Sequence, residues 1–307
     1  MATSDSTRLL RELEPIATAN FNRHLVMAKE WMPHEYVPWT QGRDFAELGG
    51  VAWDPEQSTM STIAKTALEV NLLTEDNLPS YHREIEQSVG RDGVWGEWVN
   101  RWTAEEARHG ICIRDYLVVT RAVDPMELER SRMRTMQTGY DIGDKSLLQV
   151  FAYVSFQELA TRISHRNTGR YTQEPIADRL LARVAADENL HMIFYRDLVT
   201  AALQVAPDET MRAITDEVVG FQMPGAIISG FLRKAALIAR AGIYDLRIHH
   251  DEVIWPLLRH WGVFDLGNLG PQGEIARTEL ADFLTQLDTK AGQFEQRRDR
   301  TLAKAGA

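Results

Sequence analysis

The stretch WGEWVNRWTAEEARHGICIRDY, residues 95–116, decides the fold. Its apolar residues Trp95, Trp98, Trp102, Ile113 and Tyr116 lie on one stripe at helical steps of three and four. Two positions complete that stripe, and both are ionisable: Glu106 and His109. The stretch PIADRLLARVAADENLHMIFYRDL, residues 175–198, is built the same way, with Ala177, Leu181, Val184, Glu188, His191, Tyr195 and Leu198 on its stripe. One helix upstream of each pair lies another acid on an apolar stripe: Glu75 after Ala64, Leu68 and Leu72, and Glu158 after Leu147, Phe151 and Val154. The two devices match in spacing, 31 residues from Glu75 to Glu106 and 30 from Glu158 to Glu188.

With nine histidines in the chain, two Glu-x-x-His matches alone are close to what chance supplies. Chance does not supply the matched upstream glutamates. Nor does it explain four carboxylates in one core, where each ionised group costs several kcal/mol to desolvate without a partner. Two divalent cations resolve the conflict, because their four positive charges cancel those of the four acids and two neutral imidazoles complete the shell. A Glu and a His three residues apart share a helix face and reach one metal pair. This is the ligand set of carboxylate-bridged di-iron or di-manganese helical bundles. Mixed oxygen and imidazole ligation suits iron or manganese better than magnesium.

The rest of the chain agrees with an all-α bundle. Glycine and proline are sparse, 20 and 11 of 307 residues, and no Asn-Gly turn joins strand-like runs. Periodicity predicts helices over 7–31, 56–88 with a kink or break at Pro79, 94–121, 125–138, 145–170, 173–205, 209–222, 225–241 and 273–304. No composition shift marks a boundary, so residues 1–307 are expected to form one domain, with core helices about 56–205 flanked by 7–31 and 209–304. A net charge of −10 argues against nucleic acid as a partner. The single cysteine, Cys112, excludes a disulfide framework or a cysteine-held cluster within one chain and reads as a small buried residue. The longest uncharged stretch, Val218–Leu232, is too short and interrupted to span a bilayer, and the N-terminus lacks an apolar leader. A soluble cytoplasmic protein is expected.

The strings TEDNLPSY (74–81), WTAEEARHG (102–110), SFQELATRISHRNTGR (155–170) and ADENLHM (186–192) closely resemble the soluble acyl-[acyl-carrier-protein] desaturases, with a weaker match at EWMPHEYVPW (30–39). The resemblance is strongest from Glu75 to His191. It implies a ferritin-like four-helix core and an enzyme that uses two iron ions and O2 to place a cis double bond in a carrier-bound acyl chain. By resemblance, Glu75, Glu106, His109, Glu158, Glu188 and His191 are the iron ligands, with Glu106 and Glu188 bridging. Trp31, Asp187 and His109 resemble an electron-entry path, and Thr161 a proton- or oxygen-handling residue. For Thr161 a helix threonine back-bonded to a carbonyl is an equal reading. The implied partners are acyl carrier protein, a ferredoxin-type electron donor and a second copy in a homodimer. Where the family commonly reads ADEKRHE and TEEALP, this chain has ADENLHM and TEDNLP, which keeps every ligand position but changes neighbouring charges. A different di-iron oxidase or oxygenase, a ferritin-like storage protein or a carrier-binding paralogue without activity would share the ligand logic.

An acidic carrier needs a local basic patch on an acidic chain. Arg162, Arg166 and Arg170 form one candidate strip and Arg130, Arg132 and Arg134 another, though a solvated helix face is the commoner meaning of each. The tryptophans at 95, 98 and 102 are expected in core packing.

Overall fold

The computed structural model describes residues 4–305, and among them there is no strand. The helices are α1 Ser4–Met27, α2 Thr62–Glu75, α3 Leu78–Val89, α4 Gly93–Val119, α5 Pro125–Thr138, α6 Leu147–Thr172, α7 Pro175–Val205, α8 Pro207–Val219, α9 Phe231–Arg240, α10 Leu246–Ile248, α11 Trp255–Trp261 and α12 Pro271–Ala305. Their ends carry the expected chemistry. Ser61 accepts from the Ala64 N–H, Asp124 from Met126, and Ser146 and Gln149 form a reciprocal capping box.

α2, α4, α7 and α6 pack as a closed square, each touching its two neighbours. α1 packs on α4 and α7, α8 covers α6, and α12 packs on α8 from outside. One apolar cluster joins Trp95, Trp98, Trp102, Phe151, Phe156, Phe194 and Tyr195 to α1, α8, α11 and α12; a second joins Leu68, Leu72, Ile113, Leu117, Leu181 and Val184 to Trp31. Each fully buried aliphatic or aromatic side chain contributes about 1.5–3 kcal/mol, so these two clusters hold the square together. Along α4 the first cluster ends at Trp102 and the second begins at Cys112, with Glu106 and His109 between them. No helix among the described residues is long and apolar enough to cross a membrane.

Four expectations need correction. The segment 56–88 is two helices, interrupted at Asp76–Asn77, and Pro79 sits in the first turn of α3 where a missing N–H costs nothing. Residues before Ser61 form a short 3₁₀ turn, Pro55–Gln57. α9 starts at Phe231 rather than 225, because Pro224–Ile227 make a 3₁₀ turn and Gly230 takes the left-handed conformation, φ +70°. Residues 246–261, absent from the predicted helices, are helical, with a π-helical turn over His249–Ile254. There the Trp255 N–H reaches back to the His250 carbonyl, which widens the helix just ahead of Pro256. α1 ends at Met27, so Trp31 lies in the chain that follows it.

Candidate metal centre

Glu75 ends α2 one residue before the interruption, while Glu106 and His109, Glu158, and Glu188 and His191 sit mid-helix on α4, α6 and α7. All six face the centre of the square and are buried: Glu75 and Glu106 are 6% and 7% exposed, and the other four 1% or less. Their ligand atoms form two groups, Glu75–Glu106–His109–Glu188 and Glu106–Glu158–Glu188–His191, in each of which the atoms lie within 4.8 Å of one another. Glu106 and Glu188 belong to both. His109 Nδ1 is 3.4 Å from Glu106, 3.3 Å from Glu188 and 3.6 Å from Glu75. His191 Nδ1 is 2.7 Å from Glu106 and 3.7 Å from Glu158.

The electrostatics are those of a site built for cations. Burial raises the Glu188 carboxyl well above its usual range, and the charges of Glu106, Glu158 and Glu75 raise it further. Burial works against charging His109 and His191, but the surrounding carboxylates win and hold both imidazoles well above the usual value. Glu106 Oε1, Glu158 Oε2, Glu188 Oε1 and the Nδ1 atoms of both histidines are buried without a hydrogen-bond partner. Such orphans are rare in a folded core. They are the atoms a metal pair would take up, so the residues present fit the group.

The histidines are fixed from behind. Asp187 Oδ2 lies 3.5 Å from His109 Nε2, accepts from Trp31 Nε1 at 2.7 Å and Arg108 at 3.1 Å, and its other oxygen is bonded by Arg183. The Trp31 ring is stacked near His109, with centroids 6.4 Å apart and planes at 15°. Burial would raise Asp187, yet the His109 hydrogen bond and charge and the Trp31 bond keep it below the usual range. His191 has a matching partner that sequence reasoning missed. Glu105 Oε2 lies 3.0 Å from His191 Nε2 and 2.8 Å from His24 Nε2 on α1, and Arg101 donates to its other oxygen at 2.7 Å. Burial opposes ionisation of Glu105, but both histidines draw its carboxyl far down. The signal was present: Glu105 stands immediately before Glu106 as Asp187 stands before Glu188.

Two more contacts were missed. His165 Nε2 lies 2.8 Å from Glu75 Oε1, two helical turns beyond Glu158 on α6. Trp102 Nε1 donates to Glu158 Oε1 at 3.1 Å. Thr161 is back-bonded to its own helix and also faces a candidate ligand. Its hydroxyl faces the Gln157 and Glu158 carbonyls at 3.1 and 3.0 Å, and Glu188 Oε2 at 3.3 Å. Cys112 is fully buried, and burial pushes its thiol up to about 12, away from redox use.

A cavity of about 30 Å³ touches Glu75, Glu106 and Glu188. Its far wall is Ile85, Trp102, Ile142 and Val154 with the tyrosines 81, 140 and 153.

Comparison with known proteins follows the same lines. A family model described as fatty acid desaturase matches residues 5–306. The chain is 50% identical over 303 residues to DesA1 of Mycobacterium tuberculosis, which is named as an acyl-[acyl-carrier-protein] desaturase, covering 96% of this chain and 90% of that protein. It is 29% identical over 312 residues to the chloroplastic stearoyl-[acyl-carrier-protein] 9-desaturase 5 of Oryza sativa subsp. japonica, covering 93% and 76%. Its fold is similar to the X-ray structure of DesA2 from M. tuberculosis, with a TM-score of 0.72, 34% identity, and 88% of this chain and 99% of that one covered.

Proposed function

The chain belongs to the fatty acid desaturase family, and from that premise we propose that it is an O2-dependent acyl-[acyl-carrier-protein] desaturase with a di-iron centre. The observation that carries this reading is the pair of four-residue groups sharing Glu106 and Glu188. Glu75 and His109 would hold one iron, Glu158 and His191 the other, and the shared glutamates both. When bound, the irons supply with O2 the oxidising power to take two hydrogens from adjacent methylenes, which no side chain provides.

The protein's own residues do the rest. Glu105 can accept from the Nε2–H of His191 and Asp187 faces Nε2 of His109, so each ring can keep Nδ1 bare toward the centre. Trp31, bonded to Asp187 and stacked near His109, is the route by which a ferredoxin-type donor reaches the site. Thr161 Oγ1 can donate a hydrogen bond to Glu188 Oε2 and so steady that carboxylate. The apolar wall of Ile85, Ile142 and Val154 holds the acyl chain against the carboxylates and excludes water. A volume of about 30 Å³ takes little more than a water molecule, so side chains of its lining must move to admit a methylene chain. We further read the chain as one cytoplasmic domain, on its even composition and lack of an apolar span, and as a homodimer, as the family resemblance implies.

The test is incubation with a panel of acyl-carrier substrates, ferredoxin, reductase and O2, read by mass spectrometry. Loss of two hydrogens supports the reading. Intact substrates across the panel, with two irons bound, would contradict it.

A further inference from the structure

The two arginine strips picked out in the sequence are largely spoken for. Arg166 donates to Asp178 at 2.9 Å, Arg130 pairs with Glu127, and Arg132 with Asp76 and Glu129. A different cationic surface stands free. On α9 the exposed positions are Leu232, Arg233, Ala236 and Arg240. At one turn per 3.6 residues they fall within an arc of about 100°, a single helix face. Leu232 is 85% exposed. Neither arginine has an ion-pair partner among the described residues, whereas Lys234 on the helix flank is held by Glu69 at 2.6 Å. The opposite side of α9 is anchored through Ile238, packed with Ala67 and Ile243. Just beyond its C-terminal end, Arg170 opens onto a polar cleft shared with Gly242 and Ile243, and with the acids Glu174 and Glu252.

The buried side of α9, which carries Phe231 as well as Ile238, reaches the metal centre. Phe231, Met223 and Gly225 form one side of a cavity of about 30 Å³ whose other side is Glu75, Thr161 and His165. Gly225 makes that approach possible, since a Cβ there would stand 2.8 Å from the Phe231 ring. α9 therefore stands between the exposed face and the cavity beside the carboxylates.

Resting on the desaturase reading, we infer that the Leu232–Arg233–Ala236–Arg240 face of α9 is the docking surface for an acidic acyl carrier protein. Charge complementarity selects this occupant. The chain carries a net charge of −10, so a long polyanion would be repelled outside the patch, whereas a compact acidic domain meets only the patch. A second copy in a two-fold contact would set arginine against arginine.

The experiment compares fluorescently labelled holo-carrier binding, by anisotropy, to the iron-loaded wild type, to Arg233→Glu/Arg240→Glu and to Arg130→Glu/Arg134→Glu. The α9 variant should bind at least tenfold more weakly with a shallower salt dependence, and its KM for acyl-carrier should rise. Its turnover of a carrier-free acyl-pantetheine thioester and its iron content should match the wild type. The Arg130/Arg134 variant should bind normally. Equal carrier affinity in the wild type and the α9 variant overturns the docking surface while leaving the desaturase reading intact. A wild type that neither binds nor desaturates carrier-borne chains overturns both. If the charge reversal lowers the melting temperature, Arg233→Gln/Arg240→Gln takes its place, with the same expected direction.

Discussion

Glu188 is the residue that most clearly needs a cation. Burial and three neighbouring carboxylates hold its carboxyl well above the usual range, so in the metal-free protein its ionised form works against folding at neutral pH. Glu188→Gln removes that repulsion. The metal-free variant should melt at the wild-type temperature or higher and yet bind fewer than two irons; a lower melting temperature would count against the electrostatic account. His109 and His191 have the opposite linkage. Their folded values are raised, so the stability they contribute to the metal-free chain is complete below the unfolded value and is lost as pH rises through the folded one. Metal uptake must expel those protons and that of Glu188. Iron affinity should therefore increase from pH 6 to pH 8, and calorimetry in buffers of different ionisation enthalpy should show proton release. Uptake independent of pH and buffer would contradict this. Glu105 and Asp187 act one bond further out. Glu105→Ala and Asp187→Ala should each weaken iron binding by about 10–100-fold with the fold intact; unchanged affinity would reduce both to packing residues.

At the scale of elements, the six convergent side chains were legible because each sits on a stripe of helical period, where an ionised group contradicts its neighbours. Glu105 was legible too, through the repeated acid–Glu pair at 105–106 and 187–188, but only once Asp187 is given a role. His24 was not, since nothing in the period of α1 says which helix it meets. The π-helical turn was hidden for a physical reason: His249, His250, Asp251 and Glu252 break the apolar pattern and Pro256 reads as a stop, although the widened turn accommodates it. The interruption between α2 and α3 was anticipated at Pro79 and occurs at Asp76–Asn77. There Arg132 of α5 bonds Asp76, whose carboxyl burial still raises despite the guanidinium. Arg132→Ala should cost about 1–3 kcal/mol by stranding Asp76. The double variant with Asp76→Asn should recover part of that loss in thermal melts; additive losses would place the effect elsewhere.

For the whole molecule, the two halves of the sequence build one site. α2 with α4 and α6 with α7 each bring Glu and Glu-x-x-His, and the shared glutamates Glu106 and Glu188 come one from each pair, on the adjoining helices α4 and α7. The outer helices α1, α8 and α12 complete the apolar shell that keeps water from the acids. The most direct measurement is iron per chain after anaerobic reconstitution, with Mössbauer spectroscopy of the oxidised protein. Two irons per chain in a spin-coupled pair is the expected result. One iron or none, or two that behave as isolated ions, would contradict the claim that these buried carboxylates are gathered to hold a dinuclear centre.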